Sequence, residues 1–294
     1  MQQTIAWRDH FNLADKPFNY GARFILSNSR SWITKYDNPT GNLNDWYEGF
    51  EVGSIWGLTT LGFFTSEEDV KNHADQTAVA SYPGTRPIEA GDLKYADLNG
   101  DNKINKGNWT VDDHGDFSII GNNRPRYQYG LDLNAEWNGF DLRVFFQGIG
   151  KRDWYPTSSV NSNNVYRYFG MYSTPGANVM KETMNNWNEQ GEDALFPRLK
   201  SYLDFYDGHA MDLRIAQTRY LQDASYCRLK NLTLGYSIPK KVINKIKLQN
   251  VHLYFSAENL FEITNLSKSY DPEQLNETYY PMQRTYSFGL NITL

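Results

Sequence analysis

The sequence predicts an all-β fold made of antiparallel, up-and-down strands. Apolar and polar residues alternate over several long segments, and an Asn-Gly pair joins two of these segments. No apolar run reaches the 18 or so residues that a membrane-spanning helix needs. Because alternation places every second side chain on the same side of a strand, each segment has one apolar face and one polar face.

The clearest pair of segments runs from Tyr127 to Gly148. The first arm ends at Trp137, the second begins at Phe140, and the turn between them suits the positive φ angles of a type I′ hairpin. Each arm is about ten residues long, the length of a tilted strand that crosses a bilayer, whereas strands of soluble sheets usually have about five or six. The pattern alone is compatible with both a transmembrane barrel and a soluble sheet.

Composition excludes several other classes. The chain has 294 residues, a net charge of −5 and 15% aromatic residues, including 21 Tyr and 8 Trp. Its mean hydropathy is −0.66, which a barrel with a wet lumen and long polar loops can have. No basic patch points to nucleic acid, and Cys227 is the only cysteine, so neither a disulfide framework nor a zinc cluster is expected. The first residues show no signal peptide; because an outer-membrane protein needs export, we expect that Met1 is not the natural start.

The N-terminal third predicts three strands. Residues 4–9 form the end of a strand, Phe18 to about Lys35 form a long strand, and a turn at 37–41 leads to a further strand from Tyr47 to Trp56. The alternation then stops between residues 62 and 126. Ser66, followed by three acidic residues, predicts a short capped helix within this long loop. A loop of this length in a compact domain usually has a function.

An Asp- and Asn-rich segment at 97–108 resembles the first part of an EF-hand calcium loop. Oxygen-bearing side chains occupy positions 1, 3 and 5, and a backbone carbonyl is available at position 7. Asn102 stands where Gly is usual, and Asn108 stands where a bidentate acid is usual. Asp112, Asp113 or Asp116 are candidates for the missing carboxylate, and a self-bonded Asx turn is the alternative. The predicted Ca²⁺ ligands are Asp97, Asn99, Asp101, Lys103 through its carbonyl, and Asn105.

Aromatic residues crowd a second long loop, from 151 to about 219. Met180, Met184 and Trp187 are spaced to share one face of a short helix. Aromatic rings can stack on sugars, although rings in such loops more often pack on each other or on a partner. We expect substrate contacts from Trp154, Tyr155 and Trp187.

Alternation returns in three C-terminal strands, which begin near Tyr226, Val251 and Tyr286. Arg228 and Lys230 share the parity of the apolar residues in the first of them. Either a β-bulge shifts the register near Lys230, or these cations lie beyond the hydrocarbon at the level of the lipid headgroups.

Several segments resemble SusC/RagA-type TonB-dependent transporters, in the family's order and over nearly the whole chain. The segments are YADLNGD at 95–101, IIGN at 119–122, FFQG at 145–148, FPRL at 196–199, YLQDASY at 220–226, RLKNLTLGY at 228–236, ENLF at 258–261, YDPE at 270–273 and RTYSFGL at 284–290.

The resemblance implies that residues 1–294 are the C-terminal part of an outer-membrane barrel, about eight of some 22 strands, without the plug and N-terminal domains. Short turns then face the periplasm, and long loops with short helices face the exterior. Counting strands backwards from the C-terminus places the turns at 36–45, at Asn138-Gly139 and near Pro239 inside. The stretches 62–126, 151–219 and 264–282 fall outside. The same count predicts an aromatic girdle at one membrane border, made of Tyr36, Trp46, Trp137, Phe140 and Tyr236.

The function implied by the resemblance is energised import of glycan or peptide oligomers. Its expected partners are a SusD-like surface lipoprotein, the TonB complex through the missing N-terminal part, and the lipid bilayer. Two other functions are open: a self-contained eight-stranded outer-membrane barrel, and a secreted glycan-binding sheet protein. Catalysis is not expected, because the five His residues are scattered and no Ser/His/Asp order, Cys/His pair or metal-type His spacing is present.

Overall fold

A computed structural model describes residues 2–13, 16–80, 87–156, 181–199, 213, 215–246, 248–275 and 282–293. The long strands are β1 (Gln2–Leu13), β2 (Lys16–Ser27), β7 (Arg126–Trp137), β8 (Phe140–Lys151), β11 (Tyr226–Ser237), β12 (Asn250–Glu258) and β14 (Thr285–Thr293). The shorter strands are β3 (Ser54–Leu58), β4 (Thr60–Phe63), β5 (Leu93–Tyr95), β6 (Phe117–Asn122), β9 (Asp153–Trp154), β10 (Gln222–Asp223) and β13 (Glu262–Thr264). The helices are α1 (Glu67–Asn72), α2 (Thr77–Ala80), α3 (Trp187–Gln190) and α4 (Lys240–Ile243), with 3₁₀ turns at Lys181–Met184, Gly191–Asp193, Thr218–Tyr220 and Asn244–Ile246.

The long strands form one antiparallel sheet in the order β1-β2-β7-β8-β11-β12-β14. Each strand therefore pairs with the preceding and the following long strand, which is the predicted up-and-down order. The eighth strand of the sheet is β13, which continues the path of β12 and pairs with the first residues of β11. Among the described residues β1 and β14 are the two edges, whereas a self-contained eight-stranded barrel would pair its first and last strands.

The predicted hairpin is confirmed. Trp137 pairs with Phe140, and Asn138 and Gly139 have φ angles of 50° and 86°. Both values lie in the left-handed region that a type I′ turn requires. The turn fixes the register, so that Leu133 lies opposite Val144 and the two apolar faces coincide.

Glycine geometry explains why one predicted strand is wrong. Residues from Tyr47 to Trp56 do not join the main sheet; Gly49 and Gly53 have φ angles of 86° and 93°, and only β3 is extended, paired with β6. The strand predicted from Phe18 to Lys35 ends at Ser27. Residues 28–125 are thus one connection from β2 to β7, and the turn at 36–45 lies at the opposite end of the sheet from Asn138-Gly139.

The residues of the predicted aromatic girdle do not lie together, because Tyr36 and Trp46 belong to the β2–β7 connection. The rings of Phe140 and Tyr236 pack with their centroids 4.5 Å apart and their planes tilted by 39°, and the Trp137–Phe140 pair adjoins them. Tyr36 and Trp46 pack on each other at 6.0 Å within the β2–β7 connection. We therefore name two ends of the sheet: the hairpin end, which carries Asn138-Gly139, and the loop end, which carries the long connections.

A β-bulge in β11 explains the parity of its cations. The pairing of β11 with β8 shifts between Leu229 and Asn231. Of the two readings of Arg228 and Lys230, the bulge is confirmed, because it lets the same strand present apolar residues to one face before and after the shift.

The connections at the loop end fold together into one unit with its own hydrophobic core. Ser66 caps α1 as predicted, accepting a hydrogen bond from the Asp69 N–H at 3.1 Å. Met184 ends a 3₁₀ turn and Trp187 begins α3 after the Asn186 cap, so these two residues do not share a helix face; Met180 lies outside the described residues. Core residues come from all three long connections: Leu58, Tyr95, Phe117, Trp154, Phe196, Tyr220, Leu266 and Tyr270.

Candidate functional site

The apolar face of the main sheet is exposed. Phe288 is 84% exposed and Leu290 is 53% exposed, although both belong to the alternating apolar set of β14. Backbone register aligns Leu142, Leu234, Phe255 and Phe288 in one row across four strands. In the part of the chain that the structure describes, no second sheet or helical layer covers this row. Soluble monomers rarely expose contiguous apolar surface on this scale, so the face needs an apolar surrounding.

The opposite face of the sheet is polar and internally paired. Arg143 on β8 forms an ion pair with Asp132 on β7 at 2.8 Å, and Thr233 on β11 lies 3.4 Å from the Ser256 hydroxyl. His252 donates from Nε2 to the Asp141 carboxylate at 2.8 Å, across the intervening strand. Gly235 occupies that strand, where any Cβ would collide with both side chains. A wet surface of paired charges, rather than a dry core, therefore lies on this side.

Among the residues that the structure describes, none of the helices has the length and apolar character needed to cross a bilayer.

Arg228 ties the last long connection to the sheet. Its side chain is 1% exposed, and Nη2 lies 2.7 Å from Asp271 and 3.8 Å from Glu262. Glu273 lies 3.3 Å from Nη1 of Arg228 and also 3.0 Å from Lys230. A buried guanidinium thus holds carboxylates from the segment 262–273 against β11. We call Arg228 with Glu262, Asp271 and Glu273 the Arg228 cluster.

Ion pairing also stabilises the first turn of α1. Lys94 on β5 donates to Asp69 at 2.6 Å, and the backbone N–H of Thr65 donates to the same carboxylate at 3.1 Å. The hydrogen bond from Lys94 is the main reason that the pKa of Asp69 is lowered. The pair links two segments of the β2–β7 connection, α1 and β5.

The segment 97–108 adopts consecutive Asx turns. Asp97 accepts hydrogen bonds from the N–H groups of Gly100 (2.7 Å) and Asn102 (2.9 Å), and Asp101 accepts one from Lys103 at 2.8 Å. Asn102 has a φ of 60°, the conformation that Gly usually takes at this position of a calcium loop. Asn105 accepts from Gly107 at 2.7 Å.

The candidate carboxylates beyond this segment hold backbone groups. Asp116 is buried and accepts from the N–H groups of Leu98 and Asn105, and Asp113 accepts from Asn108. Within the described ranges, no group of three or more His, Cys, Asp or Glu side chains is placed to hold a metal ion. A carboxylate oxygen that accepts one hydrogen bond retains a lone pair, so calcium binding by Asp97, Asn99 and Asp101 stays a prediction.

Calorimetry tests this calcium prediction. Titrating CaCl₂ into the full-length protein should give a saturable heat with a Kd of about 0.1–1 mM, the range of extracellular calcium modules. The double variant Asp97→Ala/Asp101→Ala should lose this heat, because it removes both carboxylates of the loop. Equal heats for the two proteins would assign the segment to self-bonded turns alone.

Two of the three predicted substrate-contacting aromatics are core residues instead. Trp154 and Tyr155 are each 1% exposed; Trp154 packs edge-on against Tyr270 at 4.7 Å, and the Tyr155 hydroxyl donates to the Leu213 carbonyl at 3.0 Å. Packing between connections buries these two side chains, so that substrate contact by them, which stays a prediction, would need this packing to open. Trp187 is partly buried against Phe63, with ring centroids 5.6 Å apart, and its contact with substrate stays a prediction.

Known proteins that are similar to this chain are TonB-dependent receptors. No protein-family model matches the chain. TonB-dependent receptor P3 of Formosa agariphila is 27% identical over 309 residues, which cover 96% of this chain and 27% of the receptor. Receptor P39 of the same organism is 24% identical over 332 residues, covering 96% of this chain and 29% of the receptor.

Among solved structures, the RagAB peptide importer in its open-open state matches with a TM-score of 0.59 and 20% identity, over 100% of this chain and 28% of that chain. The chain resembles the barrel part of a SusC/RagA-type TonB-dependent transporter. The closed-closed state of the same importer matches with a TM-score of 0.57. The all-β barrel segment with long loops is thereby confirmed as the fold. This chain spans less than a third of the length of each of these relatives.

Proposed function

We propose that this chain is the C-terminal part of the wall of an outer-membrane, TonB-dependent importer of glycan or peptide oligomers. One observation carries the proposal: strands of bilayer length combine an exposed apolar face with a paired polar face. A lipid bilayer accounts for the first face, and a water-filled passage accounts for the second. The similarity to TonB-dependent receptors supports the same function.

In this function the chain has no catalytic role. The hairpin end faces the periplasm, and the unit built from the long connections faces the exterior. A SusD-like surface lipoprotein covers the outer unit and captures cargo with it, which the likeness to RagAB supports. Energy comes from the TonB complex through a part of the protein outside this chain.

Uptake measurements test this proposal. Cells that express the full-length protein should accumulate fluorescent oligosaccharides or oligopeptides, offered as two separate pools. An uncoupler should abolish the accumulation, because a TonB-dependent importer draws on the inner-membrane proton gradient. Recovery of the protein in the soluble fraction, or accumulation unaffected by the uncoupler, would contradict the proposal.

A further inference from the structure

A polar cavity of about 380 Å³ lies at the loop end of the sheet, where β2 and β7 meet the β2–β7 connection. Gln128 lines it from β7 with the parity of Asp132 and therefore on the polar face, and Arg126 lines it from the start of the same strand, before Tyr127 with its φ of 52°. Arg30, Glu51 and Arg124 line it from the connection. We call this cavity the arginine pocket. Its volume is in the range of pockets that hold a small ligand or one unit of an oligomer.

The arginine pocket contains three guanidinium groups and one carboxylate. Arg30 is committed to Glu51: its Nε donates to Oε1 at 2.7 Å, and its Nη2 donates to Oε2. Arg126 donates from Nε to the Asn28 side-chain oxygen and from Nη2 to the Tyr127 hydroxyl, both at 3.2 Å, and lies over the Tyr127 ring. Both acceptors are neutral, and no acid forms an ion pair with Arg126 among the described residues. The Arg124 guanidinium is exposed, with no hydrogen bond or ion pair to the described part of the chain.

Neighbouring groups leave this surplus of positive charge in place. Lys151 lies opposite Arg126 in the β7–β8 register, and the carboxylate of Asp153 accepts a hydrogen bond from the Asn122 N–H at 2.9 Å. The pKa of Glu51 is lowered, chiefly by the hydrogen bonds from Arg30 and further by the charges of Arg30, Arg126 and Lys151. In a chain with a net charge of −5, this pocket is a local cationic site.

Backbone geometry holds the pocket in shape. The Arg124 N–H donates to the Asn122 side-chain oxygen at 2.9 Å, and the Asn123 N–H donates to the Gly53 carbonyl at 2.9 Å. Gly53 has a φ of 93°, and a Cβ there would lie 2.5 Å from Cγ of Arg124. Only glycine permits this approach of the two segments. The position of Arg124 is therefore fixed by the fold and not by a partner acid.

We propose that the arginine pocket binds a carboxylate group of the imported oligomer. The inference rests on the proposed function, because a solute in the passage meets the polar face. The planar guanidinium fork matches a carboxylate in two parallel hydrogen bonds and remains charged at every physiological pH. Arg124 and Arg126 supply the unneutralised forks, and the Arg30–Glu51 pair forms one wall. The carboxylate has two possible sources: a uronic acid in a glycan, or the C-terminus of a peptide.

Calorimetry on the full-length protein tests the pocket with two matched pairs of probes. Tri-galacturonate is compared with neutral galactotriose, and N-acetyl-trialanine with its C-terminal amide. We expect one acid probe to bind at least about tenfold more tightly than its neutral twin, and the pair in which this occurs identifies the source of the carboxylate. A charge-assisted hydrogen bond contributes enough for this difference.

Variants separate the pocket from general electrostatics. Arg124→Gln/Arg126→Gln should weaken binding of the acid probe about tenfold or more and leave binding of its neutral twin unchanged. Arg124→Lys should retain more of the affinity for the acid probe than Arg124→Gln. Gly53→Ala keeps every charge but should also weaken the acid probe, since the added methyl group displaces Arg124. Arg143→Gln is the matched control on the same face, because Arg143 is already neutralised by Asp132.

The outcomes distinguish this inference from the proposed function. Equal binding of acid and neutral probes in both pairs, or unchanged binding by the Arg124→Gln/Arg126→Gln variant, would contradict carboxylate binding by the arginine pocket. Energised uptake would still support the proposed function in that case. If energised uptake is absent but the acid probe still binds and this binding depends on Arg124, the proposed import function is contradicted and the carboxylate site is retained.

Discussion

Phe288→Arg should lower the free energy of unfolding of the full-length protein in lipid vesicles by about 2–4 kcal/mol. Phe288 is 84% exposed and packs on Phe255 at 5.0 Å, in a row of apolar side chains across the sheet. If this face meets lipid, the substitution places a cation in hydrocarbon, at a cost that depends on depth. Denaturant unfolding, followed by tryptophan fluorescence or by the shift of the folded band on a gel, measures the difference.

The adjacent residue provides the matched control. Ser287 is also exposed on β14 but belongs to the polar face, so Ser287→Arg should change the free energy of unfolding by no more than about 0.5 kcal/mol. In a water-soluble sheet, both residues would be exposed surface positions and both substitutions would have small effects. Equal small effects in vesicles would therefore contradict the assignment of the apolar face to lipid.

Arg228→Met should release the last long connection from the sheet, at a cost of about 3–5 kcal/mol. Methionine fills part of the same space but removes the charge that Glu262, Asp271 and Glu273 share. The remaining carboxylates would then repel one another beside a buried strand. Hydrogen exchange should show faster exchange in residues 262–275, while protection of the β7–β8 hairpin is unchanged.

Lys230→Met is the control for this variant. Lys230 contacts Glu273 at 3.0 Å but its side chain is 23% exposed, so the loss of its ion pair should cost at most about 1 kcal/mol. Adding Asp271→Asn to Arg228→Met should recover part of the lost stability, because it removes one of the carboxylates left without a partner. Similar exchange rates in residues 262–275 of the Arg228→Met and Lys230→Met proteins would show that the buried Arg228 stabilises this segment no more than the partly exposed Lys230 does.

Local rules predicted the elements whose determinants are close in sequence. Asn138-Gly139 determines both the turn and the register of its two arms, and Ser66 with the acids after it determines the start of α1. The sequence left two explanations for the positions of Arg228 and Lys230. Alternation shows that the pattern is interrupted there, but it does not show how β11 pairs with its neighbouring strand. Strand alternation likewise predicted an apolar face but not its surroundings.

Predictions failed where long-range packing decides the outcome. The alternation from Tyr47 to Trp56 resembles a strand, but Gly49 and Gly53 turn the backbone and β3 pairs with a distant loop strand. The burial of Trp154 and Tyr155 by residues from other connections was likewise not predicted from the sequence, and their contact with substrate stays a prediction. Arg124 and Arg126, on either side of Pro125 before the hairpin, were visible as paired cations. Only the fold places Arg30 and Glu51 beside them.

The sequence by itself determined the long alternating strands of the sheet, the hairpin turn and the likeness to TonB-dependent transporters. These features depend on residue period and on neighbours a few positions apart. The tertiary structure alone decided that three separate connections share one core, that Arg228 is buried among carboxylates, and that three arginines surround one cavity. Those features depend on contacts between residues far apart in the chain, such as Arg228 with Asp271, 43 positions apart, and Thr60 with Gln217, 157 positions apart, for which a single sequence contains no periodic signal.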